Sequence, residues 1–135
     1  MLVGCGGPWK TTYVSAATTK ELVTTVHKET WSEPLRERKT KCGAELDPEV
    51  HTKADFDRCT EPFTEAAAAK VVQALEVYQV AATALSAVLM ATDPANPDKA
   101  ALRAALAEAI EAATQLLQLL PEGDRHLKTL NNLVK

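Results

Sequence analysis

The chain has 135 residues, enough for one compact domain or a small core with an ordered tail and too few for a multi-domain enzyme. Hydrophobic residues make up 46%, charged residues 24% and aromatics 4%, so the core is built from Ala, Leu and Val rather than from large rings. With 15 Lys and Arg against 18 Asp and Glu the net charge is -3, which leaves no general field drawing the protein to nucleic-acid phosphates or anionic lipid.

At the N-terminus, Leu2, Val3 and Gly4 place an aliphatic residue and two small ones ahead of Cys5. These four positions resemble a bacterial lipobox. The resemblance implies that a peptidase whose pocket admits only small side chains cuts before Cys5, and that the Cys5 thiol carries a diacylglyceryl anchor. A secretory leader has a positive segment and about 7 to 15 apolar residues. Only Met1 precedes Leu2, so the reading places the rest of the leader upstream of this chain. Gly6, Gly7 and Pro8 then serve as a tether.

Residues 8–17 are apolar and threonine-rich without a clear period, and are expected to form a partly extended arm; with the leader remnant they make a segment 1–17 distinct from a helical domain 18–135. Thr18 as cap and Glu21 three residues on predict a helix start, with Leu22, Val23 and Val26 at helical spacing to about Trp31. The β-branched Thr24, Thr25 and Val26 keep a strand over 22–31 open as a competitor. Ser32 and Pro34 predict a second helix start, and Gly43 its end. A short helix from Pro48 to Cys59, opened by Asp47, brings Cys42 and Cys59 together.

Once Cys5 is set aside these two cysteines form a pair, and in an oxidising compartment their disulfide closes the part spanning 18–61. Two alternatives stand beside it: free buried thiols, and a metal site drawing on His51 with Asp55 or Asp57. The second lacks any compact Cys-x-x-Cys or His-x-x-x-His chelate.

The region 62–135 is predicted to be a long antiparallel helical hairpin plus a short C-terminal helix, which makes the fold class all-α. Thr60, Glu61 and Pro62 open the first long helix, whose seam is Val71, Leu75, Tyr78, Ala82, Leu85 and Leu89. Asn96 caps the second, with seam Leu102, Leu106, Ile110, Ala113, Leu117 and Leu120. Pro121 and Gly123 stop it, and Asp124 caps a last helix carrying Leu127, Leu130 and Val134. Runs of alanine on both long helices are expected to face each other and let the axes approach closely.

Between Val77 and Thr92 sixteen residues pass without a charge. The run is short for a membrane span of about 20 apolar residues and is interrupted by Gln79, Thr83 and Ser86. One neighbouring helix cannot cover its whole circumference. Either the N-terminal helices of the same chain bury it, or Val77, Val80, Ala84, Val88 and Leu89 form an oligomer or partner interface.

Other sites are weakly indicated. The basic run Arg36, Arg38, Lys39 and Lys41 is diluted by Glu33, Glu37 and Glu45 and has no interleaved aromatics, which favours a solvated face over nucleic-acid binding. Ser15, Ser32 and Ser86 lack a Gly-flanked elbow, and His27, His51 and His126 fall in no motif, so no catalytic residue, metal ligand, cofactor or small-molecule substrate is expected.

The whole resembles the small lipoproteins that bacteria and their viruses encode, including those acting in envelope disruption or exclusion. That resemblance implies a non-enzymatic phage or bacterial lipoprotein on the periplasmic face of a membrane, acting as a tether or interaction module. The alternative is a structural subunit of a virion or other large assembly, with Met1 retained and the apolar helix face buried by neighbours.

Overall fold

The computed structural model describes residues 7–61, 63–121 and 123–133, without the side chains of Asp124 and Leu133. The lipobox residues Leu2, Val3, Gly4 and Cys5, the Asp124 cap and Val134 therefore lie outside what is described. Every regular element among the described residues is helical, and the strand competitor over 22–31 is replaced by helix.

The expected extended arm is helical too. Helix α1 spans Pro8–His27 and crosses the 17/18 boundary without a break, so Thr18 lies inside a helix rather than capping one. Pro8 sits in the first turn, where its missing N–H costs nothing and its fixed φ suits a helix. The buried face is Thr12, Ser15, Thr19, Val23 and Val26, in steps of three and four. Three of these five are hydroxyl residues, so the stripe is invisible to a hydrophobic pattern. Their polarity is absorbed locally where Thr19 Oγ1 donates to the Ser15 carbonyl at 2.8 Å, leaving the methyl to pack.

A single π turn, Lys28–Ser32, joins α1 directly to α2, Glu33–Glu45. Its wide bond runs from the Glu33 N–H to the Lys28 carbonyl. Pro34 explains the position: in a regular helix its ring would press on the carbonyl four residues back, and widening the preceding turn relieves that clash. Ser32 consequently has helical angles and caps nothing; its Oγ lies 3.2 Å from His27 Nδ1. Helix α2 also runs through Gly43 to Glu45 instead of stopping there.

Helix α3, Lys53–Thr60, starts later than expected because Thr52 and Asp55 make a reciprocal capping box, while Asp47 only closes the turn before it. The Cys42–Cys59 disulfide staples α2 to α3 with a Cα–Cα distance of 6.0 Å. Arg38 Nη1 adds a hydrogen bond to the Cys59 carbonyl at 3.2 Å.

The hairpin of α4, Glu65–Ala91, and α5, Lys99–Leu119, carries most of the core. The helices are capped by Thr64 and Asp98, displacing the expected Thr60 and Asn96 starts. Both seams are found: Val71, Tyr78, Leu85 and Leu89 are buried on α4, and Leu102, Leu106, Ile110, Ala113, Leu117 and Leu120 on or just after α5. The alanines behave differently from expectation. Ala109, Ala112 and Ala113 are buried, but Ala84, Ala87, Ala91, Ala104 and Ala107 face outward, because the Leu and Val seams occupy the contact first.

A 3-10 turn, Gly123–His126, leads into α6, Leu127–Leu133, whose Leu130 closes the far end of the core. Helix α1 completes a three-helix bundle. Trp9 Nε1 donates to the Leu89 carbonyl at 2.8 Å near the end of α4. At the other end Trp31 meets Phe63 edge-to-face, with ring centroids 5.1 Å apart. Helix α1 is thus antiparallel to α4 and parallel to α5.

Candidate interaction face

Which side of α4 is left over follows from its period. At about 100° per residue, Val71, Tyr78, Leu85 and Leu89 fall on one side, and Val80, Ala84, Ala87 and Ala91 on the opposite one. Helices α1 and α5 pack at either flank of the buried side, and neither reaches round to cover the second. Val80 is accordingly 71% exposed, Met90 88% and Val77 49%, with Ala84, Ala87 and Ala91 exposed between them.

Of the five expected interface residues, Val77, Val80 and Ala84 lie on this open face and Val88 is half-buried at its edge toward the core. Leu89 does not belong to it. It is 7% exposed and packed in the core, on the side of the helix opposite the open face, with its carbonyl held by Trp9.

Length and composition also bear on this helix. A window of 18 residues in α4 has a mean hydropathy of 1.5, enough to cross a membrane by those two measures, and 17% of that window is buried inside the fold. The charge-free run of sixteen residues is bounded upstream by Glu76, before which Val71, Val72, Ala74 and Leu75 continue the apolar composition of the helix. Its buried stripe is the core of the bundle. Use of α4 as a span would therefore require the core to come apart.

The two flanks of the open face differ in charge. Toward α5 a shallow groove of about 280 Å³ is lined by Val77, Val80 and Ala84 on one side and Glu108, Glu111 and Gln115 on the other. Toward α1 a groove of about 490 Å³ runs between Lys20, His27 and Lys28 and the α4 residues Tyr78, Gln79 and Ser86. Burial pushes the His27 imidazole below its ordinary value and the Tyr78 hydroxyl above its own. Both groups thus favour their neutral forms, and the charge on this flank belongs to the lysines. Lys28 lies 3.8 Å from Glu33, both well exposed. Among the described residues Lys20, Glu108 and Glu111 form no ion pair.

Cys42 and Cys59 come together as the sequence spacing suggests, and joined to each other they offer no thiolate to His51, whose Nδ1 instead faces the backbone of Asp47. No group of three or more His, Cys, Asp or Glu among the described residues is arranged to hold a metal ion. The lysine flank was the part that sequence reading missed. Lys20 stands in a Thr-rich stretch whose hydroxyl-bearing core face gives no hydrophobic signal, so nothing in the sequence assigns it a neighbour. No family model, curated protein or solved structure matches this chain.

Proposed function

We propose that this chain is a non-enzymatic, lipid-anchored envelope protein that acts as a tether or interaction module through helical packing. The observation that carries the reading is the open face of α4, where Val77, Val80 and Met90 stand exposed in a chain whose other long-helix seams are buried. Exposed apolar side chains in a contiguous stripe favour burial by another molecule.

The anchor rests on Leu2 to Cys5, and the disulfide supports it, because such a bond persists in the oxidising compartment to which a lipobox directs a chain. The described chain begins at Gly7, beside the Leu89 end of the bundle, so a tether at Cys5 holds that end toward the membrane. The same open face supports a second reading, a structural subunit of a virion or other assembly. The disulfide favours the first, since a closed cysteine pair belongs with export to an oxidising compartment.

Lipid labelling in the native cell separates the two. Palmitate should label the protein, which should partition with membranes, and Cys5→Ser should abolish the label and release the protein to the soluble fraction. An unlabelled soluble wild-type chain would overturn the anchor.

A further inference from the structure

We propose that the groove between α1 and α4 binds a single-chain amphiphile with an anionic head, a carboxylate or a phosphate. This site is separate from the open apolar ridge, since it lies on the α1 flank of α4. Helix α1 packs chiefly on α5 and touches α4 more sparingly, and Ala82, Thr83 and Ser86 of α4 are too small to fill the space between. Two cavities result, of about 490 and 240 Å³. They share Lys20, Tyr78, Ala82 and Ser86, and so join into one channel beside α1 from Lys28 to Tyr13, about 22 Å of helix. The larger part alone falls within the ~300–1,000 Å³ of small-molecule sites.

Tyr78 supplies the polar end of the site. The residue is 5% exposed, yet among the described residues its hydroxyl has no hydrogen-bond partner. No enclosed side-chain oxygen or nitrogen among those residues lacks a partner. The Tyr78 hydroxyl is therefore not enclosed, and it opens into the channel whose two parts the residue lines. A phenol so deeply buried ordinarily finds an acceptor, and here only a ligand can provide one.

Charge gives the sign of that acceptor. Lys20 and Lys28 line the larger cavity, and no carboxylate among the described residues lines either part. Lys28 is shared with Glu33 at 3.8 Å, outside the cavity, while Lys20 has no ion pair among the described residues. Grooves elsewhere on the bundle differ: Glu108 and Glu111 line the one between α4 and α5, and Asp57 and Glu65 the one beside Phe63. In a chain with 18 acidic residues, a channel edged by lysines alone attracts an anion. Its floor is apolar, with Val23 and Leu75 in the larger part and Leu85 and Leu89 in the smaller. The head group sits by Lys20 and Tyr78, and the alkyl chain lies along the floor. The elongated form of the channel suits a linear chain better than a compact ring.

Isothermal titration calorimetry of the full chain carrying Cys5→Ser, which has no acyl group of its own to compete, provides the test. The probes are decanoate, monodecyl phosphate and neutral decanol. At least one anion should bind with a Kd of roughly 100 μM, and the preferred one identifies the head group. Decanol should bind about tenfold more weakly. Tyr78→Phe removes only an oxygen that bonds nothing in the chain, so it should keep the wild-type melting temperature while weakening the anion about tenfold. Lys20→Gln should weaken it about fivefold. Ser86→Trp places a large ring at an exposed position bordering both cavities, and should abolish binding with circular dichroism unchanged. No binding of either anion up to about 1 mM would overturn the proposal. So would decanol binding as tightly as the anions, or a Ser86→Trp variant that binds like the wild type. None of these outcomes depends on an anchor at Cys5.

Discussion

A Cβ on Gly123 would overlap the carbonyl oxygen and carbon of Leu117, both backbone atoms that no rotamer change can move. The Gly123 N–H meanwhile bonds to the Leu120 carbonyl at 3.0 Å, which fixes the chain against the end of α5. Gly123→Ala should therefore destabilise the protein by about 2 kcal/mol in urea unfolding, by prising the turn and Leu130 away from the core. His27 makes a second prediction at this scale. Burial depresses its folded value below about 6.5, so the unfolded chain takes up the proton more readily. The stability owed to neutral His27 is full above about pH 6.5 and is lost as pH falls through the lower folded value. Melting temperatures should fall from about pH 7 to pH 5, and His27→Gln should flatten that slope. The shifted carboxylates leave this window clear: Asp55 and Glu65 are both held below their ordinary range, so their contributions are lost only at lower pH.

Among the elements, the α2–α3 unit depends most on its staple, since Cys42 is the only fully buried residue of α2, Leu35 is only partly buried and most of the helix is charged. Closing a loop of seventeen residues restricts the unfolded chain by about 3 kcal/mol on the chain-entropy model. The double variant Cys42→Ala, Cys59→Ala should lose roughly that much in denaturant, with hydrogen-exchange protection falling first in α2 and α3 while α4 and α5 keep theirs. The contrast between elements also shows what could be read beforehand. Helices α4 and α5 were legible because Leu, Val and Ile mark their buried faces at every turn. Helix α1 was not, because Thr12 and Thr19 bury their methyls and Ser15 its short side chain while their hydroxyls are satisfied or sheltered, and composition cannot distinguish that from a polar arm. The π turn was hidden for another reason: Ser32 and Pro34 mark a helix start equally well, and only the packing of Trp31 on Phe63 makes the chain continue through them. The open face of α4 was legible from its missing charges, although which residues it contains depended on the helix phase, and Leu89 fell on the other side.

Taken as one molecule, the bundle has a polarity that joins its parts. Gly7, Trp9 and the end of α4 stand at one end, and the disulfide unit and Phe63 at the other, with the open apolar ridge running between them. A chain anchored at Cys5 would present that ridge along the membrane normal, open to a partner beside it. The most direct measurement of this account is the intact mass of the protein from its native source, taken before and after reduction and alkylation. The expected result is a chain beginning at Cys5 with a diacylglyceryl-type addition, and two cysteines that alkylate only after reduction. An unmodified chain retaining Met1 with three freely alkylated thiols would contradict the anchor and the staple together, and would move the ridge to the interior of an assembly.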